Sequence, residues 1–226
     1  MQISMEDKLT YIKKLNFFNS LNDKHLHAIS TISTISKHSK HSILYYENDI
    51  HNKIFFLVTG LLKIYKIDKY ENEIFLYHIY NNSLISELTT LDNNTIHCFS
   101  NAEFIEDSII LEVDFIELKN HFLSKNILNN EFINEILLKT AQLHCVVNRE
   151  LVFDAISKVA YMLSDDLNMF NRLKRQEVSF MLHIQPETLS RVLKKLKRSE
   201  IIEIENSKIK ILQIKKLHNI YKGEKL

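Results

Sequence analysis

The hydrophobic positions of this 226-residue chain follow three patterns in succession. Between residues 42 and 113, short runs rich in Ile, Phe, Tyr and Val occupy 42–46, 53–58, 61–67, 73–79, 95–101 and 107–113. Asn, Asp and Gly punctuate them, as at Asn48-Asp49, Thr59-Gly60 and Asn93-Asn94. Runs of this length and spacing predict the strands of a sandwich or barrel. Ahead of them, residues 5–16 and 22–35 predict helices, the second capped by Asn22 or Asp23, and residues 114–121 predict a short helix behind them. A second pattern starts at Asn129 or Asn130, where Ile133, Ile136 or Leu137, Leu143, Val146, Val147 and Leu151 recur close to every 3.5 residues. That period predicts one long helix to residue 153, and Ile133, Ile136, Leu143 and Val147 are its candidate contacts with a second copy of the chain. Thr140 and His144 interrupt the stripe, so its register stays open. A helix covering the core of its own domain is the alternative.

The third pattern lies in KRQEVSFMLHIQPETLSRVLKKLKR, residues 174–198. Arg175-Gln176-Glu177 opens a helix with an apolar stripe at Val178, Met181 and Leu182, and a turn follows around residues 183–185. Pro186 suits the first position of a second helix, where its missing N–H costs nothing. Leu189, Val192, Leu193 and Leu196 are spaced to be buried; Glu187, Thr188, Ser190, Arg191, Lys194, Lys195, Lys197 and Arg198 then face outward. Short polar groups at the front of a helix and cations at its rear suit a DNA major groove, the front reading bases and the rear meeting phosphates. An amphipathic helical hairpin with a solvated charged face is the plainer alternative. Behind it, Ile201-Ile202-Glu203-Ile204-Glu205 and Lys208-Ile209-Lys210-Ile211-Leu212 alternate around Asn206-Ser207, which predicts a β-hairpin. Together these read as a winged helix-turn-helix.

These residues resemble the Crp/Fnr transcription regulators. Gln185-Pro186-Glu187-Thr188-Leu189-Ser190-Arg191-Val192-Leu193 is similar to that family's recognition helix, a Glu-Thr-x-(Ser/Gly)-Arg core with an apolar pair behind it. Ser190 is closer to the Fnr-like branch than to the cyclic-AMP receptor, which has Gly there, and Pro186 stands where the receptor has Arg. The segment from Phe55 to Tyr65 looks like the hairpin of a cyclic-nucleotide-binding domain, with Gly60 at its turn. The resemblance implies an α+β protein with a β-roll sensor over 1–125, a dimerisation helix over 126–152 and a winged helix-turn-helix over 153–226. It also implies double-stranded DNA, a second copy of the chain and RNA polymerase as partners. Arg175, Gln185, Glu187, Thr188, Ser190, Arg191, Lys194 and Lys195 become the expected DNA contacts.

Charge agrees with that division. Residues 153–226 hold 15 Lys and Arg against 9 Asp and Glu, net +6, whereas residues 1–152 hold 14 against 19, net −5. A basic module attached to an acidic one is what a DNA reader joined to a sensor would show. The chain has no charged-then-apolar leader and no apolar run long enough to span a bilayer, so a cytoplasmic protein without membrane contact is expected. Gly-rich phosphate loops, His-Glu-x-x-His, Gly-x-Ser-x-Gly and paired-cysteine zinc motifs are missing, and no enzyme is expected. A winged-helix module that binds protein, or a constitutive regulator without an effector, are the competing readings. With two glycines and abundant asparagine, Asn is expected at many turns.

For the signal, the resemblance points to a nucleotide cassette, and the residues depart from it. Ser86-Glu87-Leu88 matches the start of the cassette, but Ile96-His97 stands where an Arg-Ser pair would grip the cyclic phosphate. Isoleucine supplies no charged bidentate donor, so cyclic AMP is not expected to bind, and Glu87 is left to cap a short helix. Two cysteines cannot build an iron–sulfur cluster within one chain, and residues 1–97 contain none. A redox or gas signal such as nitric oxide or oxygen, through haem or thiols, remains open, with His97, Cys98, His144 and Cys145 as the candidate residues.

Overall fold

A computed structural model describes residues 4–222, and its backbone divides into two compact units, the division falling between Gln142 and Leu143. In the amino-terminal unit, α1 (Met5–Ile12) and α2 (Asp23–Thr31) precede ten strands. These are β1 (Ser33–His38), β2 (Ile43–Tyr45), β3 (Ile50–His51), β4 (Lys53–Thr59), β5 (Leu61–Ile67), β6 (Glu73–Tyr80), β7 (Ser83–Leu84), β8 (Ile96–His97), β9 (Asn101–Phe104) and β10 (Ser108–Asp114). α3 (Phe115–His121) and the first part of α4 (Asn129–Val147) follow. One sheet runs β1-β10-β4-β7, the other β2-β9-β5-β6, and β3 pairs with β8 alone, all antiparallel.

The near-continuous apolar run of β4 is explained by burial on both faces. Ile54, Phe56 and Val58 meet Ile12, Phe17, Phe18, Phe115 and Phe132 from the helical segments. Phe55 and Leu57 point the other way, into a core with Tyr45, Leu62, Ile64, Ala102 and Phe104 of the second sheet. Gly60 turns β4 into β5 at φ +114°, and a Cβ there would collide with the Ser108 side chain. Asparagine does take over turns, since Asn48, Asn82, Asn126 and Asn206 all have positive φ.

Several predicted boundaries are corrected. The helix expected over 22–35 ends at Thr31, and residues 33–38 are β1, paired with β10 through contacts such as Ile35 opposite Leu111. Thr31, Ile32, Thr34 and Ile35 are β-branched, and the segment tolerates a strand better than a helix once a partner strand is available. α1 stops at Ile12 rather than 16. Of the strand expected over 95–101, only Ile96–His97 (β8) and Asn101, where β9 begins, are strand. The long helix is regular only to Val147 and finishes in a π turn, Asn148–Val152. No helix begins at Glu87 for it to cap.

The carboxy-terminal unit holds the end of α4, that π turn, and then α5 (Ala155–Asp165), α6 (Leu167–Arg172), α7 (Arg175–Met181), α8 (Pro186–Arg198), β11 (Ile202–Glu205), β12 (Lys208–Ile211) and α9 (Ile214–Tyr221). Its buried core draws Val159 and Leu163 from α5, Phe170 from α6, Val178 from α7, Leu189 and Leu196 from α8, Ile202 and Ile209 from the hairpin and Leu217 from α9. No described helix is long and apolar enough to cross a membrane.

Candidate nucleic-acid interface

Helix α8 is built to show one face and bury the other. Pro186 occupies its first turn, and Glu187 stands there while Lys195, Lys197 and Arg198 fill the last, each sign matching the helix dipole. Leu189, Val192, Leu193 and Leu196 are buried, each contributing about 1.5–3 kcal/mol of transfer free energy, which holds the helix against its neighbours. Gln185, Glu187, Ser190, Arg191, Lys194 and Lys195 are exposed, and Thr188 is half-buried. The Thr188 hydroxyl accepts from an Arg191 terminal nitrogen at 3.1 Å, steadying the guanidinium above the first turn. Behind it, Arg191, Lys194, Lys195, Arg198 and Ser199 line a shallow cationic cleft. Such a surface can meet base edges with its front and phosphates with its rear.

The parts around α8 fix its presentation. Glu177 reaches back to the Lys174 N–H at 2.6 Å and caps α7. The turn between α7 and α8 passes through His183 at φ +50°. β11 and β12 pair Glu203 with Lys210 and Glu205 with Lys208 around the Asn206–Ser207 turn, both residues at positive φ. This wing is fastened twice. Asn171 on α6 accepts from the Ile209 N–H at 2.7 Å and donates to its carbonyl at 2.9 Å. Arg175 donates to the Ser207 carbonyl at 2.6 Å and lies over the Phe170 ring, 4.7 Å from its centroid. Arg175 thus differs from the other expected DNA contacts: one of its terminal nitrogens serves the wing, and the other is buried without a partner. Asn171 was missed in the sequence because its partner lies 38 residues away and only the fold brings them together.

The expected dimer residues Ile133, Ile136, Leu143 and Val147 are all exposed, as are Leu137 and Leu138. Large apolar groups repeated along one helix and left in water mark a surface that is covered by something else.

In the cassette region of the amino-terminal unit the polar groups bond within the chain. The Glu87 carboxylate accepts from the Phe99 N–H at 2.9 Å and the Ser100 hydroxyl at 2.8 Å. Ser86 Oγ accepts from the Phe55 N–H at 2.9 Å. Ile96 is buried among the helix-facing core residues, and His97 beside it is exposed. Lys139 of α4 donates to the Ile85 carbonyl at 3.3 Å, and burial pulls its ammonium down to a pKa of about 8, opposed by Glu87 and Glu135.

The remaining signal candidates are scattered by environment. Cys98 is buried, and burial followed by the negative charges of Glu87 and Asp49 pushes its thiol up to about 12. It is therefore a poor nucleophile. In the other unit His144 is exposed, and half-buried Cys145 accepts from the Tyr161 hydroxyl at 2.9 Å. Among the described residues no group of three or more His, Cys, Asp or Glu side chains could hold a metal ion.

Comparison with known proteins supplies the context for this geometry. Residues 158–220 match the Crp-like helix-turn-helix domain. A search of curated protein sequences finds no match. Among solved structures, a CooA mutant from Carboxydothermus hydrogenoformans is similar, with a TM-score of 0.70, 19% identity and coverage of 92% of this chain and 94% of that one. FixK2 from Bradyrhizobium japonicum gives a TM-score of 0.63 at 19% identity, covering 84% of this chain and 97% of its own. A regulator of the crp/fnr family from Eubacterium rectale gives 0.64 at 14% identity, covering 93% and 99%. Residues 158–220 thus carry a Crp-like helix-turn-helix domain, and the chain shares the fold of these structures.

Proposed function

We propose that the protein is a homodimer reading a palindromic operator through two copies of α8. The observation that carries this reading is the exposed face of that helix, where Glu187, Ser190 and Arg191 stand ahead of Lys194 and Lys195. In the proposed complex Arg191 donates to the O6 and N7 of a guanine and Glu187 accepts from a cytosine amino group. Ser190 meets a neighbouring thymine or its phosphate, and Gln185, Thr188, Lys194 and Lys195 hold the backbone. The expected half-site has a TGA-like core. Arg175, committed within the domain by its bond to Ser207, reaches the DNA only at its margin.

The dimer reading is supported by the apolar stripe of α4, with Ile133, Ile136, Leu143 and Val147 in water, near the heptad period. Two-fold symmetry would set the two reading helices about 34–36 Å apart, one turn of DNA. The domain boundaries we favour remain 1–125, 126–152 and 153–226. The protein carries out no catalytic step in this reading. It works in the cytoplasm and acts on RNA polymerase at nearby promoters.

Cyclic AMP is not the signal in this reading, because buried Ile96 stands where the phosphate grip would be and Glu87 is already bonded to Phe99 and Ser100. The raised pKa of Cys98 argues against a thiol switch there. A gas or redox ligand, with haem as one carrier, would have to act through His97, His144 or Cys145.

The test is the salt dependence of DNA binding. Release of counterions from about 6–10 phosphates should lower operator affinity by roughly 10³–10⁵ between 50 and 200 mM salt. A winged helix that binds protein would show no such fall.

A further inference from the structure

The turn between α7 and α8 is tied to the π turn that ends α4 through one carboxylate. Regular α4 ends at Val147, and the π turn Asn148–Val152 carries the chain onward, closed by the Phe153 N–H donating to the Asn148 carbonyl at 2.9 Å. Within it, Glu150 accepts from Arg149 Nε at 2.6 Å on one oxygen. Its other oxygen faces His183 Nδ1 at 2.8 Å and the Lys158 ammonium at 3.9 Å. Lys158, from α5, also donates to the Leu182 carbonyl at 3.1 Å. His183 is the left-handed residue of the turn that leads into α8, and its Nε2 is buried with no partner.

Leu151 and Val152 are 81% and 69% exposed and do not pack the π turn against its surroundings; Phe153 behind them meets the Tyr161 and Tyr221 rings at 5.7 and 5.9 Å between centroids. The link from the turn to His183 is polar and directional. A carboxylate shared by imidazole, guanidinium and ammonium keeps its bonds only over a narrow range of geometries, whereas apolar surfaces can slide. Burial would raise the Glu150 pKa, but the bonds from His183 and Arg149 outweigh it and hold the carboxyl below its ordinary value, so it stays ionised and bonded at neutral pH.

The geometry points to Glu150 as a positioning residue that acts through His183 to fix the angle between the end of α4 and recognition helix α8. In a two-headed protein that angle sets which half-site spacing is accepted. This inference rests on the dimer reading given above, and it assigns the spacing requirement to one bond without giving Glu150 any contact with DNA.

The experiment uses the full-length protein and duplexes carrying two half-sites at the preferred separation, one base pair closer and one base pair farther, with a single half-site as control. One base pair rotates a half-site by about 34–36° as well as moving it along the axis. Wild type should prefer its own spacing by about tenfold, a size typical of one good contact. Glu150→Gln should reduce that preference to about threefold or less while changing single half-site affinity by less than about twofold. His183→Asn should do the same, because Asn tolerates the left-handed backbone at that position. Unchanged spacing selectivity in both variants would overturn the proposal. Loss of single half-site binding in both would also overturn it, since Glu150 would then only support the fold of the head. A wild-type protein indifferent to spacing would defeat the dimer reading, and this inference with it.

Discussion

Polar side chains meet opposite fates in the two units. On α8, Glu187, Ser190, Arg191, Lys194 and Lys195 stand in water, and Arg191 donates to the Thr188 hydroxyl one turn back. In the cassette region of the other unit, Glu87 is bonded to Phe99 and Ser100, Lys139 to the Ile85 carbonyl, and Ser86 to Phe55. A face that leaves charged groups to solvent can exchange water for a polyanion at little internal cost. A region whose polar groups already bond to one another must break those bonds before it accepts a ligand. The exposed face of α8 is therefore the easier of the two for a charged partner to engage.

The largest effect is expected where the two heads depend on each other. Leu143→Asp puts a charge in the apolar stripe of α4 and should yield monomers, with operator affinity reduced about 100-fold or more as the second head is lost. Sedimentation and a gel shift on the same sample check this; a fully dimeric variant would move the interface elsewhere. A smaller effect should come from Lys139. Its pKa in the folded protein, about 8, lies below its unfolded value, so the charged form opposes folding at neutral pH. That cost is fully present below pH 8 and fades as pH rises towards 10, where the folded state has lost the proton and the unfolded state still holds it. Lys139→Met should therefore be more stable than wild type at pH 7 by about 1–3 kcal/mol, with the gap narrowing from pH 8 to 10. Denaturant melts at several pH values measure it. The smallest expected effect is none: cyclic AMP should leave operator affinity unchanged, and micromolar binding in calorimetry would show that the cassette is not closed.

How much of this was legible in the sequence depended on the distance between partners. The stripe Leu189, Val192, Leu193 and Leu196 is helical in spacing and all four are buried, so α8 was readable within thirteen residues. The wing was readable too, because its two strands flank a two-residue turn. Strand β1 was not. Ile29, Ile32 and Ile35 fit a helical face, and only pairing with β10, 70 to 80 residues later, selects the strand. The π turn was hidden because Leu151 and Val152 continue the apolar pattern past the end of regular helix, although their side chains are exposed. The bonds that hold the head in place, Asn171 to Ile209 and Glu150 to His183, join residues 38 and 33 apart and leave no local pattern.

The central claim is that α8 reads DNA sequence as one of two symmetric heads. Selection of binding sites from random DNA by wild type and by Arg191→Ala tests it most directly. Wild type should return a palindrome whose half-sites are centred about one turn, roughly 10 base pairs, apart. Arg191→Ala should lose preference at the guanine position by about 1–3 kcal/mol while keeping weak, salt-sensitive association. A non-palindromic or single half-site motif from wild type, or an unchanged motif from Arg191→Ala, would contradict it.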